Sequence, residues 1–145
     1  MTLALGSDHA GFVQKEMLRT WLGSQGHEVR DFGTHSAESM DYPDVAHPLA
    51  AAVAAGECEL GILLCGSANG VCITANKHAA VRAAIAWLPE LAALARQHNN
   101  ANVLTLGGRV LGYGLAWEVV NTWLSTPFSG DARHVRRVSK IEIPQ

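Results

Sequence analysis

LGILLCGSANGVCITAN, residues Leu60–Asn76, passes from an apolar run through a cysteine and a small-residue loop into a helix-forming segment. Leu60, Ile62, Leu63 and Leu64 read as a strand covered on both faces, as a parallel sheet requires. Cys65 then falls at the carboxyl end of that strand, where open α/β sheets place their ligands. Gly66 and Gly70 allow a ligand to approach the backbone closely, and the start of the next helix offers N–H groups to negative charge. A loop of this kind can hold a thiolate and stabilise an oxyanion.

The rest of the composition bounds what such a loop can serve. A chain of 145 residues, 48% hydrophobic and 17% charged, suits one domain spanning 1–145 with one substantial core. The formal charge of −2 gives no general basic field for nucleic acid, so any anion site must be local. Three cysteines, Cys58, Cys65 and Cys72, without a CxxC pair argue against a disulfide framework or a zinc knuckle and suit a reducing cytoplasm. The N-terminus MTLALGSDHAG does not have the pattern of a signal peptide, and no run approaches the roughly 18 apolar residues of a membrane helix. The expectation is a soluble, cytoplasmic protein.

Working outward, strands and helices alternate. Thr2–Gly6 reads as a first strand ending in Ser7-Asp8-His9, followed by a helix over Phe12–Ser24 with Met17, Leu18, Trp21 and Leu22 on one face and Gly26 as a stop. Glu28–Phe32 is a second strand, and Tyr42-Pro43 opens a helix running to Ala55. Leu60–Leu64 is the third strand and Val81–Trp87 the fourth. Pro89 starts an alanine-rich helix ending at His98-Asn99, Asn102–Leu106 is the fifth strand, and Leu115–Leu124 and Ala132 to about Lys140 are further helices. Repeated βα units imply right-handed crossovers, hence a single-domain, doubly wound, Rossmann-like α/β fold with a five-stranded parallel sheet, helices on both faces and a C-terminal helix.

That topology gathers groups distant in sequence. Asp8 and His9 follow the first strand and Arg109 the fifth, so both belong on the sheet edge that carries Cys65. His98 ends a helix antiparallel to the strands, about 15 Å from its start. It therefore belongs near the opposite edge of its own sheet and reaches a Cys65 more readily from a second subunit, which predicts a homodimer with composite sites. Arg133 and Arg137, four apart, share one face of a helical tail and suit a phosphate.

GSDHAG near the start, DYPD at Asp41–Asp44, CGSANG followed by ANK, RQHNNANVLTLGGR and the RHVRR tail together resemble the ribose-5-phosphate isomerase B family, which includes galactose-6-phosphate isomerase subunits. The resemblance covers nearly the whole chain, with the motifs in family order. It implies an aldose–ketose isomerase that interconverts ribose 5-phosphate and ribulose 5-phosphate without metal or organic cofactor, in a site shared between two subunits of a dimer or tetramer. It implies Cys65 as the base moving a proton between C1 and C2, and His98 as the group opening the furanose ring. It also implies substrate contacts from Asp8, His9, Tyr42, the loop Gly66, Ser67, Ala68, Asn69 and Gly70, and Asn99, with Arg109, Arg133 and Arg137 on the sugar and its phosphate.

Some relatives lack the cysteine and carry a glutamate base directly after the glycine loop. Here that position is Val71, so Cys65 is the base candidate in the loop. A thiol near a helix N-terminus is favoured as thiolate, and a positioned base contributes typically about 10²- to 10⁴-fold. Ser67 could relay the hydroxyl proton between O1 and O2. Asp8 could also cap the first helix, His98 could serve the C-terminal dipole, and Tyr42 could simply open its helix with Pro43. Cys58 and Cys72 read as structural or incidental, Arg136 as solvated, and His134 as near enough to the arginines to assist them. Alternatives to the pentose phosphate are a four- or six-carbon sugar phosphate, a non-catalytic phosphosugar-binding module, or a redox-sensing cysteine.

Overall fold

The computed structural model describes residues 1–144 and contains one five-stranded, all-parallel sheet. In chain order the elements are β1 (Thr2–Ser7), a single 3-10 turn (His9–Gly11), α1 (Phe12–Ser24), β2 (Glu28–Asp31), α2 (Pro43–Ala54) and β3 (Leu60–Cys65). They continue with α3 (Asn69–Ala75), β4 (Ala83–Ile85), α4 (Pro89–Asn99), β5 (Val103–Gly107), α5 (Tyr113–Ser125) and α6 (Ala132–Ser139). The strand order is β2-β1-β3-β5-β4. The chain winds outward from β1 to one edge and from β3 to the other, so the switch point lies between β1 and β3.

The period of two along each strand sorts the core into two layers. Leu3, Leu5, Ile62, Leu64, Leu104 and Leu106 face α1, α4 and α5, where Leu18, Leu22, Ala92, Val119 and Trp123 close over them. Ala4, Leu63, Cys65 and Val103 face α2 and α3, against Val45, Leu49, Val53, Val71 and Ala75. Glycines permit the second layer to close tightly. A Cβ on Gly61 would lie 2.8 Å from the Leu49 side chain, and one on Gly6 2.6 Å from Val45.

Most elements match the sequence reading to within one or two residues at their ends, and two differ in substance. The fourth strand spans Ala83–Ile85 rather than Val81–Trp87. It lies on the sheet edge beside β5 alone, so its ends are not held by a second neighbour. The Arg82 amide donates instead to the Asn102 side chain (2.7 Å), and Trp87 is left 56% exposed. In α1 the inward face is Gln14, Lys15, Leu18 and Leu22, and Met17 faces out. The α1 stripe is thus rotated toward a lysine.

Lys15 is fully buried, and its ammonium donates to both Asp31 carboxylate oxygens (2.9 and 2.8 Å) and to Glu16 (2.8 Å). The Lys15 and Arg19 side chains hold the Glu16 carboxyl below the usual carboxylate range. Asp31 also accepts from the Gly33 amide (2.9 Å), and residue 33 in turn accepts from Ser7 (2.8 Å). One buried cation thereby ties α1 to the turn after β2 and to the end of β1. Lys15→Met removes the buried cation from Asp31 and leaves it the half-exposed Arg19 guanidinium 3.7 Å away, and it is expected to lower the unfolding free energy by about 3 kcal/mol, the lower end for a broken buried pair. Asp31→Asn in the same chain is expected to recover part of that loss. Urea unfolding of the two variants measures both, and a loss below about 1 kcal/mol for Lys15→Met would contradict the assignment.

Candidate active site

The carboxyl ends of β1, β3 and β5 meet at the switch point. The Asp8 amide donates to the Leu64 carbonyl (3.1 Å), and Gly11 packs so closely that a Cβ there would lie 2.7 Å from the Leu64 side chain. On the other side the Gly108 amide donates to the Cys65 carbonyl (2.7 Å) and the Arg109 amide to the Gly66 carbonyl (3.1 Å). These bonds place the turn after β1 and the turn after β5 on either side of the Cys65 loop. Asp8, His9, Cys65 and Arg109 thus share one edge, as the strand order requires.

Each group is fixed locally. Asp8 is 7% exposed and caps the 3-10 turn, accepting from the amides of Ala10 (3.0 Å) and Gly11 (3.3 Å). The capping role and a place at the site therefore coexist in one carboxylate. His9 Nδ1 accepts from the Met40 amide (3.2 Å), so the neutral ring carries its proton on Nε2 and turns a donor outward. The Arg109 side chain lies over Gly66, where a Cβ would meet its Cδ at 3.4 Å. Tyr42 lies against Gly70, where a Cβ would fall 2.5 Å from the ring. Glycine at 70 is what lets the phenol cover the loop.

Cys65 is 4% exposed and turned to the α2 and α3 side of the sheet. In the loop that follows, Ala68 is buried in a left-handed conformation (φ 74°), a strain of about 1 kcal/mol that the surrounding packing holds. Ser67 Oγ accepts from the amide and side chain of Asn69 (3.4 and 3.2 Å). Among the described residues, the amides of Ser67, Ala68 and Gly70 meet no protein acceptor. A turn with free N–H groups beside a thiol can receive an oxyanion. Val71 is fully buried under the sheet, so the position after the loop holds packing and no titratable group. Burial pushes the thiols of Cys58 and Cys72 up. Among the described residues, no three His, Cys, Asp or Glu side chains converge to hold a metal ion.

His98, Asn99, Arg133 and Arg137 lie elsewhere in the same chain. Asn99 borders a cavity of about 600 Å³ with Asn76, Arg82, Ala83 and Ala101, residues that lead into β4 and β5 at their amino ends. Cys65 pairs with Gly107 at the opposite end of β5. The four residue steps from Val103 to Gly107 separate the two edges by about 13 Å. The end of α4 is held there by Arg96, which donates to Thr126, Asn100 and Ala101 carbonyl or amide oxygens (3.2, 3.1 and 2.6 Å). Helix α6 packs on α4, with the His134 ring 4.2 Å from that of His98 (centroid to centroid). The sequence-derived site therefore divides in two: a thiol half at the carboxyl edge and a histidine–arginine half at the amino edge. Lys15 and the His98–His134 stack were not singled out from sequence. Lys15 sharing a helical face with Leu18 and Leu22 was the available signal for the first.

Comparisons with known proteins identify the family of the fold. Residues 3–141 match the family model described as Ribose/Galactose Isomerase. The chain is 46% identical over 139 residues to ribose-5-phosphate isomerase B of Escherichia coli (strain K12), covering 96% of this chain and 93% of the other. It superimposes on the Clostridium thermocellum ribose-5-phosphate isomerase B structure with a TM-score of 0.95 at 47% identity, covering 97% and 95% of the two chains. It superimposes on the Mycoplasma genitalium ribose-5-phosphate isomerase B, solved with bound ribulose-5-phosphate, with a TM-score of 0.93 at 39% identity, covering 97% and 93%. With the doubly wound sheet, the glycine loop and the match over nearly its whole length, the chain belongs to the ribose/galactose isomerase family.

Proposed function

We propose that this chain is an aldose–ketose isomerase that interconverts ribose 5-phosphate and ribulose 5-phosphate. The observation that carries the reading is the Cys65 loop at the switch point, with its free amides and its neighbours Asp8, His9 and Arg109. Membership of the family supports the reaction class, and the E. coli relative supports the five-carbon substrate. No helix among the described residues is long and apolar enough to cross a membrane, and the reading places the enzyme in the cytoplasm.

In this mechanism the site is composite. The thiol half of one subunit receives His98, Asn99, Arg133 and Arg137 from a second copy, because about 13 Å of sheet separates the two halves within one chain. His98 takes the proton from the O1 hydroxyl of the furanose and delivers it to the ring oxygen O4 as the C1–O4 bond breaks, giving the open aldehyde. Cys65 as thiolate removes the C2 hydrogen. The electron pair forms the C1–C2 double bond, and charge develops on O1 toward the free amides of Ser67, Ala68 and Gly70. Ser67 relays the O2 hydroxyl proton to O1, and the thiol returns its proton to C1, leaving the C2 ketone. The arginines and His9 hold the phosphate and sugar hydroxyls. Each preorganised donor to the enediolate contributes on the order of 3 kcal/mol, comparable to the base itself.

The test is incorporation of solvent deuterium at C2, with conversion of aldose to ketose, across tetrose, pentose and hexose phosphates. Ribose 5-phosphate is expected to be the preferred substrate, with Cys65→Ala reducing turnover by about 10²- to 10⁴-fold. Preference for a four- or six-carbon sugar would move the substrate and keep the reaction. Binding without exchange would leave a phosphosugar-binding module.

A further inference from the structure

His134 is 4% exposed, although its neighbours Arg133, Val135, Arg136 and Arg137 on α6 are exposed. Its ring lies over that of His98 with centroids 4.2 Å apart and planes inclined by 34°. Its Nδ1 is 2.7 Å from Ser129 Oγ, and the Ser129 amide donates to the Gln97 carbonyl (3.2 Å), one residue before His98. Ser129 Oγ also accepts from the Asp131 amide (3.2 Å), which sets the turn leading into α6. A closed circuit thus runs from the backbone beside His98, through Ser129, to the ring that covers His98.

We propose that the Ser129–His134 pair is a positioning device for His98, fixing the imidazole that opens the sugar ring, rather than a contact to the phosphate. The inference rests on the isomerase reading above. Two constraints support it. One edge of the His134 ring is occupied by Ser129 and one face by His98, so little of the ring remains for a ligand. Burial also pushes the pKa of His134 down, and His98 on α4 with Arg133 and Arg137 on α6 push the same way against Asp131. A neutral ring can stack on His98 whether or not His98 holds a proton, whereas a charged one would repel it and the arginines.

The chemistry of the substrate pair separates positioning of His98 from every other role. Ribulose 5-phosphate has no free C5 hydroxyl, so it stays open-chain, and exchange of its C1 hydrogen with solvent needs the thiol and the loop but no ring opening. Ribose 5-phosphate is mainly cyclic and needs both. Ser129→Ala, which keeps the buried ring, is expected to lower kcat for ribose 5-phosphate by about tenfold while changing C1 exchange from ribulose 5-phosphate less than twofold. Ser129→Thr, which keeps the hydroxyl, is expected to restore turnover. His134→Ala is expected to show the same split with a larger loss. An equal loss in both assays, or a rise in KM for both sugars, would overturn the proposal in favour of a phosphate contact or a general structural role. Full activity of Ser129→Ala beside an active wild type would also overturn it. A wild type that exchanges neither sugar would instead remove the isomerase reading on which it rests.

Discussion

The hydrogen bond from the Asp8 amide to the Leu64 carbonyl joins the first turn of the chain to its third strand across the switch point, and the rest of the site is built on that seam. A switch point exists because the chain winds one way from β1 and the other way from β3, so the loops above these two strands diverge and leave a crevice. Closing the seam requires small residues. Gly11 meets Leu64, and Gly108 lies 3.3 Å (ideal Cβ) from the Ala10 carbonyl oxygen, so the loops from β1, β3 and β5 touch through backbone. Close backbone contact brings Asp8, His9 and Arg109 to the same sheet edge as Cys65. It also ranks the contributions. The buried Lys15–Asp31 pair secures the seam from the far side of β1, whereas the Arg30–Glu57 pair is solvent-exposed at both ends and contributes little.

Direction matters as much as proximity. Strands deliver their ends to one edge and the following helices return to the other, so a βα fold cannot place the end of a helix beside the end of the strand before it. This geometry fixes where Cys65 and His98 lie in one chain. On the proposed mechanism, a site that needs both would be completed by a second chain, and a two-fold arrangement would supply two such sites at once. On the mechanism proposed above, the Ser129–His134 contact with the end of α4 would carry His98 and the α6 arginines into a second copy's site as one unit.

Much of this was legible in the sequence because the signals were local. Leu60–Leu64 is apolar without alternation, which only a strand covered on both faces explains, and Pro43 and Pro89 mark helix starts that the structure reproduces. The direction of α4 followed from topology alone. What escaped the sequence depends on contacts between distant segments. The fourth strand was overestimated because edge position, which limits its pairing, is not a property of its residues. Ala68 adopts a left-handed conformation that alanine does not advertise. The stacking of His134 on His98 joins residues from two helices separated by α5, and the spacing of arginines drew attention to the exposed face of α6 instead of the buried histidine between them.

The composite site is the central claim, and subunit complementation tests it most directly. Cys65→Ala and His98→Ala chains, each carrying a different affinity tag, are co-expressed and the mixed dimer is isolated through both tags. One of its two sites then holds both mutations and the other holds neither. The account predicts that each variant alone converts ribose 5-phosphate poorly and that the mixed dimer recovers about half of the wild-type activity, one intact site of two. A mixed dimer no more active than its parents would contradict it, placing both groups in a single chain's site.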